Sequence, residues 1–104
     1  NQLLNWTKTN EIELPQVPNY ATNNGHMFFL KCKSMEQRTA LINKLKAKDT
    51  HPVFHYISLH SSPYYIDKHD GRSLPNTDTF TDTLVRLPLF YELDVQTVIN
   101  QILE

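Results

Sequence analysis

Apolar and polar residues recur with clear periods in three parts of the chain, and each period predicts an element. In the run 26–32, five of seven residues are apolar and a turn signal precedes them, which predicts a buried strand. Ser34 opens the run 35–48 with a glutamine at the capping-box spacing, and this predicts a helix. Asp94 is an N-cap residue before apolar positions at helical spacing, which predicts a last helix over 95–103.

Four other stretches carry weaker patterns. Residues 52–58 are β-branched and aromatic with a proline first, which predicts a second strand. Residues 59–77 are polar and contain several breakers, which predicts a long loop of a kind that is usually functional or disordered. A weak helix is predicted from Thr77, and residues 85–89 either continue it or form a short strand. Residues 11–20 alternate in polarity but contain two prolines, which predicts an extended linker or edge segment.

The order of these elements predicts the fold class. Strands interleaved with helices on a small sheet give an α/β (α+β) two-layer sandwich. Residues 1–20 are interpreted as the end of a truncated helix followed by a linker, and residues 21–104 as the domain, so we expect the chain to be part of a longer protein. One core is expected between the sheet and the two strong helices, formed by Phe28, Leu30, Leu41, Leu45, Val53, Val98, Ile99 and Ile102.

Length and composition exclude several classes of protein. The 104 residues suffice for one domain, and 10 Lys and Arg against 11 Asp and Glu argue against a nucleic-acid binder. No apolar run approaches the ~20 residues of a membrane span, and no signal-peptide pattern opens the chain. The single cysteine excludes an internal disulfide, and the two glycines exclude a glycine-rich phosphate loop. The sequence therefore predicts a soluble, cytoplasmic domain that binds neither nucleic acid nor a membrane.

The histidines, aspartates and cysteine favour ordinary roles over metal binding or nucleophilic catalysis. His51 and His55 have the spacing of a helical metal pair, but on a strand they lie roughly 13 Å apart, too far for one ion. The four aspartates between residues 67 and 82 lack the register of a calcium loop. Cys32 stands at a strand end among apolar residues, which predicts a buried small side chain.

The exit of the second predicted strand carries the most informative polar set, namely Tyr56, His60, Tyr64 and Tyr65. Hydroxyl and imidazole groups at a strand exit commonly form a polar binding wall. The alternative is that the tyrosines pack over the sheet edge as half-buried amphipathic side chains, and composition alone favours that alternative.

Three motifs resemble the C-terminal part of the sugar-nucleotide aminotransferases of the DegT/DnrJ family. They are Gly-His-Met-Phe-Phe-Leu at 25–30, Phe-His-Tyr-Ile-Ser-Leu-His-Ser-Ser-Pro-Tyr at 54–64, and Arg-Leu-Pro-Leu-Phe-Tyr at 86–91. The resemblance extends from about Glu11 to Glu104. Ser58 stands where relatives usually have a proline.

The resemblance implies the small, mostly antiparallel domain of a fold-type I enzyme that uses pyridoxal phosphate (PLP). The Schiff-base lysine and the aspartate at the pyridinium nitrogen belong to the large domain of such enzymes, so we expect no catalytic residue, no cofactor ligand and no bound PLP in this chain. By position, His60 is implied on the substrate side, with Tyr56 and Tyr64 as further substrate-binding candidates. The whole enzyme would bind a sugar nucleotide and an amino donor through its large domain, as a homodimer.

An independent α/β interaction or regulatory module with a coincidental pattern is the alternative. The parent reading frame distinguishes the two hypotheses, because only the enzyme requires a lysine-bearing large domain upstream of this segment.

Overall fold

The computed structural model describes residues 2–104 and confirms the predicted α+β class. Within residues 2–104 there are four α-helices and two strands, with two single 3₁₀ turns in the long connection after residue 58. In chain order the elements are α1 (Leu3–Thr9), β1 (Phe28–Lys31), α2 (Met35–Lys46), the turns Leu59–Ser61 and Ile66–Lys68, α3 (Pro75–Thr83), β2 (Leu84–Leu87) and α4 (Val95–Leu103).

The two strands pair antiparallel and divide their side chains between two faces. Leu30 lies opposite Val85, and both are completely buried under the helices. Phe29 lies opposite Arg86 on the other face. Single β-bridges extend the sheet at both edges, from Glu13 to Lys31 and from Val53 to Arg86. The segment 11–20 thus touches the sheet at its edge, as its prolines predict.

The two strongest helices begin at their predicted caps. The Ser34 side chain accepts a hydrogen bond from the Gln37 backbone N–H, and the Asp94 side chain accepts one from the Thr97 N–H. Hydrogen bonds from the hydroxyl and the backbone N–H of Thr97 hold the pKa of Asp94 below its ordinary value. Both caps depend only on neighbouring residues, which is why the sequence predicts them correctly.

One core lies between the sheet, α2 and α4. Of the eight predicted core residues, five are buried, whereas Phe28, Val53 and Ile99 are only half-buried. The fully or largely buried apolar side chains are Ile12, Leu30, Cys32, Leu41, Ile42, Leu45, Val85, Val98 and Ile102. Ile12 belongs to the segment interpreted as a linker, and α1 before it packs against α4. The proposed boundary after residue 20 stays a prediction, and residue 1 lies outside the described residues.

The predicted strand over 52–58 is wrong, because only Val53 pairs with the sheet. Pro52 has no backbone N–H to donate, and after Val53 the chain leaves the sheet, with a cis peptide bond between His55 and Tyr56. Phe54 and Tyr56 are then exposed rather than packed in the sheet. Tertiary context, rather than local β-propensity, therefore determines the conformation of this segment.

The region after this segment also differs from the prediction. α3 begins at Pro75 instead of Thr77 and ends at Thr83, so residues 84–87 form a short strand, the second of the two predicted possibilities. Pro75 suits the first turn of a helix, where its missing N–H costs no hydrogen bond. The predicted loop over 59–77 is shorter than expected and contains the two 3₁₀ turns.

Candidate functional site

A cavity of about 300 Å³ lies between the two 3₁₀ turns and the start of α3. It combines apolar walls with imidazole, guanidinium, phenol and hydroxyl groups, and it is open to solvent on one side. The residues that line it are Leu59, His60, Tyr65, His69, Arg72, Leu74 and Thr77. The long connection predicted as functional or disordered therefore forms an open cavity whose mostly apolar lining includes several polar side chains.

His60 is fixed in this cavity by Asp78. Its Nε2 lies 2.7 Å from Oδ1 of Asp78, a residue in the first turn of α3, and only 16% of the His60 side chain is exposed. A carboxylate can only accept, so Nε2 carries the hydrogen. Nδ1 is then the ring atom of His60 that remains for a ligand or a proton.

His69 is oriented in the same way by a backbone carbonyl. Its Nε2 donates to the carbonyl oxygen of Arg72 over 3.0 Å, and its ring centroid lies 5.3 Å from that of His60. The ring centroid of Tyr65 lies 6.5 Å from that of His69. Hydrogen bonds from Arg72 lower the pKa of Asp70, whose carboxylate lies 3.8 Å from Nδ1 of His69. Two imidazoles with fixed orientation therefore share one cavity.

The other two predicted substrate-binding residues lie outside this cavity. Tyr64 is 76% exposed, with Nζ of Lys68 lying 3.5 Å from its ring centroid. Tyr56 is 68% exposed and stacks on His55, with ring centroids 4.5 Å apart. The structure thus brings His60 together with Tyr65, and it does not bring Tyr56 or Tyr64 into the same cavity. The binding roles of all three candidates stay predictions.

Sequence reasoning missed three members of the cavity or its support, namely His69, Arg72 and Asp78. The sequence pattern predicts Asp78 as one of several solvated aspartates, yet it is the partner of His60. The two residues are 18 positions apart, and no local rule joins a loop histidine to an aspartate at that separation. The only available signal was an acidic residue in the first turn of a helix that follows a histidine-bearing loop.

Cys32 is the buried small side chain that the sequence predicts. It is 3% exposed, and burial raises the pKa of its thiol to about 11, with Arg38 opposing the shift. The thiol is therefore protonated and unreactive at neutral pH. Between residues 2 and 104, no three His, Cys, Asp or Glu side chains are grouped closely enough to hold a metal ion.

A second cavity, also of about 300 Å³, is almost entirely apolar. It lies between α1, the start of β1, the end of β2 and α4, with Leu3, Phe28, Leu87 and Val98 in its walls.

The longest helix in the described part of the chain has 12 residues, and none qualifies by length and hydropathy to cross a membrane.

The chain is similar to known aminotransferases over nearly its whole length. The sequence model of the DegT/DnrJ/EryC1/StrS aminotransferase family matches residues 1–103. Among solved structures, the aminotransferase TlmJ from Streptoalloteichus hindustanus is 21% identical, with a TM-score of 0.78 over 97% of this chain and 28% of that one. NtdA from Bacillus subtilis, solved with bound cofactor PMP, is 22% identical, with a TM-score of 0.78 over 98% of this chain and 24% of that one.

A third structure extends the same result. A DegT DnrJ EryC1 StrS aminotransferase from Brucella abortus is 19% identical, with a TM-score of 0.70 over 97% of this chain and 28% of that one. The chain therefore spans only about a quarter of the length of these solved structures, and at these identities the likeness shows a shared fold.

Proposed function

Because the chain belongs to the DegT/DnrJ/EryC1/StrS aminotransferase family, we propose that it is the small domain of a PLP-dependent sugar-nucleotide aminotransferase. In this proposal a large domain beside it carries the cofactor, and this chain orients the substrate. The enzyme transfers an amino group from an amino donor to a keto sugar on a nucleotide, as a homodimer in the cytoplasm. The family match over residues 1–103 speaks against a module with a coincidental pattern.

The cavity around His60 is the observation that carries the proposal. A sugar offers hydroxyl groups that pair with imidazole nitrogens, and a nucleotide diphosphate offers oxyanions that pair with a guanidinium. Leu59 and Leu74 supply apolar wall on which the ring of a sugar or base can lie. With Asp78 holding Nε2 of His60, the group that meets substrate in this proposal is Nδ1.

Tyr56 and Tyr64 contribute to binding outside the cavity in this proposal. Both phenols lie on the exposed surface of the connection that leads to and from His60. Each ring also has a cation beside it, Arg86 for Tyr56 and Lys68 for Tyr64. These positions suit contacts to parts of a long substrate that extend beyond the sugar.

The motifs support a more specific substrate. The segment 54–64, together with the motif at 86–91, is similar to that of dTDP-4-amino-4,6-dideoxygalactose transaminases. We therefore propose conversion of dTDP-4-keto-6-deoxyglucose to dTDP-4-amino-4,6-dideoxygalactose, a step toward a surface polysaccharide such as lipopolysaccharide or common antigen. Ser58 replaces the usual proline and is buried, with its hydroxyl 2.5 Å from that of Ser61.

The lysines of this chain do not fit the attachment of PLP, the cofactor that supplies an electron sink for transamination. Lys31, Lys33 and Lys48 are paired with carboxylates, and Lys44 donates to the carbonyl oxygen of Ile102. None of the lysines in the described part of the chain lines either cavity. In the proposal, the attachment point therefore belongs to the large domain.

The experiment replaces His60 in the full-length enzyme by alanine. We expect kcat/KM for the sugar nucleotide to fall about 2- to 10-fold, since a hydrogen bond between neutral groups contributes about 0.5–1.5 kcal/mol. The free energy of unfolding should change by less than about 1 kcal/mol, because His60 is outside the core. Steady-state kinetics and denaturation of the same variant give both quantities.

His51→Ala is the matched control. His51 is an exposed histidine whose only partner in the described part of the chain is Asp49, and it lines neither cavity. It should leave kcat/KM unchanged. Unchanged activity of His60→Ala, or unfolding of that variant, would contradict the proposed role of the cavity.

A further inference from the structure

Arg86 differs from the other two arginines in having no polar partner for its side chain among residues 2–104. Arg72 pairs with Asp70 over 2.8 Å, and Arg38 donates from Nη1 to the carbonyl oxygen of Thr81 over 2.8 Å. For Arg86, no carboxylate or carbonyl oxygen of residues 2–104 accepts a hydrogen bond from the guanidinium. Its only described interaction is with the ring of Tyr56, whose centroid lies 5.6 Å from Cζ.

The backbone that carries this guanidinium is held in place by the sheet. Arg86 lies in β2 opposite Phe29, and its backbone N–H and C=O both bond to Val53, over 2.7 and 3.0 Å. Its Nε is buried without a hydrogen-bond partner, as is Nε of Arg38, but the guanidinium of Arg38 has the Thr81 carbonyl as a partner for Nη1. Burying part of a charged donor without a partner is unfavourable, and it persists in folded proteins where an ion, water or ligand completes the site.

The terminal nitrogens of Arg86 are positioned for an incoming anion. Nη1 and Nη2 of Arg86 have no hydrogen bond to residues 2–104, and neither is among the fully buried atoms without a partner. Two parallel N–H groups of a guanidinium match the two oxygens of a carboxylate or a phosphate. Tyr56 flanks the guanidinium and is itself 68% exposed, so its hydroxyl adds a donor near the same surface.

We propose that Arg86 binds an oxyanion of a substrate, with Tyr56 packed against its guanidinium. The shared chemistry is a pair of anionic oxygens, supplied either by the carboxylate of the amino donor or by the diphosphate of the sugar nucleotide. This assignment rests on the proposed aminotransferase function. It places a second binding group on the sheet, separate from the His60 cavity, which Arg86 does not line.

The test measures binding of two probe anions to the full-length enzyme by calorimetry. The probes are glutarate, a dicarboxylate, and inorganic pyrophosphate, and the variants are Arg86→Gln and Arg86→Lys. We expect Arg86→Gln to weaken binding of at least one probe tenfold or more, and Arg86→Lys to restore part of it by keeping the charge. Lys46→Gln removes an exposed charge in α2 and should change neither affinity by more than about twofold.

The probe affected identifies the source of the anion. If Arg86→Gln weakens glutarate binding and raises KM for the amino donor, Arg86 binds the carboxylate of the amino donor. If it weakens pyrophosphate binding and raises KM for the sugar nucleotide, Arg86 binds the diphosphate. Affinities unchanged in Arg86→Gln overturn the proposal. A lower melting temperature or altered subunit assembly with unchanged probe affinities also overturns it, because Arg86 then pairs with a protein carboxylate outside this chain. Unfolding of both variants overturns it as well, since Arg86 then has a structural role.

The probes also separate this proposal from the proposed function. If the wild-type enzyme lacks transaminase activity but binds a probe through Arg86, the anion site stands and the aminotransferase assignment fails. If the enzyme transaminates normally and Arg86→Gln binds both probes as the wild type does, only the anion site fails.

Discussion

At the scale of single residues, Asp49 has a sterically unfavourable backbone conformation. Its φ is 60°, in the left-handed region where a β-carbon is unfavourable, and it follows the end of α2. The Asp49 N–H bonds to the Lys46 carbonyl, and the Thr50 N–H reaches back to that of Leu45, which together close the helix. Glycine is the residue that such a helix end usually carries.

We predict that Asp49→Gly raises the free energy of unfolding by about 0.5–1 kcal/mol, because glycine adopts this backbone conformation without the steric cost. The exposed contact between Asp49 and His51 contributes little by comparison. Urea denaturation measures the change. Ala40→Gly is the control, since Ala40 is exposed inside α2 and glycine there should cost about 1 kcal/mol. A loss of stability in both variants would contradict the prediction.

Residues also differ in how far their surroundings can be predicted from the sequence. The buried state of Cys32 follows from its apolar neighbours along a strand, and the structure confirms it. The pairing of His60 with Asp78 depends on how the chain folds back between residues 60 and 78. No pattern in the sequence around His60 or around Asp78 specifies that the chain folds back to bring them together. The hydrogen bond that orients His60 could therefore not be predicted.

At the scale of elements, local signals determine which predictions succeed. The caps of α2 and α4 and the apolar positions within these helices act over three or four residues, and both helices occur nearly as predicted. The run 52–58 has strong β-propensity, yet only one of its residues, Val53, pairs with the sheet. Strand formation needs a partner that is distant in sequence, and here the edge of β2 accepts only Val53.

We predict that Leu45→Ala lowers the free energy of unfolding by ~2–5 kcal/mol, because Leu45 is completely buried between α2 and the rest of the core. Leu59→Ala provides the comparison, since Leu59 is 65% exposed and its truncation should cost less than ~0.5 kcal/mol. Denaturant titration of both variants gives the two values. A cost below ~0.5 kcal/mol for Leu45→Ala would mean that α2 presents a different face to the core.

At the scale of the whole molecule, the fold is shared with proteins of about one-fifth identical sequence. TM-scores of 0.70 to 0.78 over at least 97% of the chain accompany identities of 19 to 22%. A core such as that of Leu30, Val85 and Ile102 tolerates exchange among apolar residues when volume and pattern are kept. The fold class could therefore be predicted from the pattern of apolar and polar residues. The cavity around His60 depends on the geometry of a long connection, which that pattern does not specify.

The proposed division of roles between this chain and a large domain leads to a prediction for the chain alone. A specific PLP site needs a lysine held in a cavity, where its neutral amine can react and the cofactor can be oriented. Here Lys8 and Lys46 are exposed, and the remaining lysines bond to carboxylates or carbonyl oxygens. Every amine is therefore in an ordinary surface environment or already paired.

We predict that the isolated 104-residue chain, mixed with PLP and reduced with borohydride, shows only scattered substoichiometric labelling of its lysines. Peptide mass spectrometry locates the adducts, and the same chain in concentrated urea is the control. Because labelling without a site depends on exposure alone, the native chain should show no lysine favoured beyond the exposed ones, which are Lys8, Lys33, Lys46 and Lys68. A stoichiometric adduct at one lysine, present in the native chain and absent in urea, would show that this chain itself holds the cofactor.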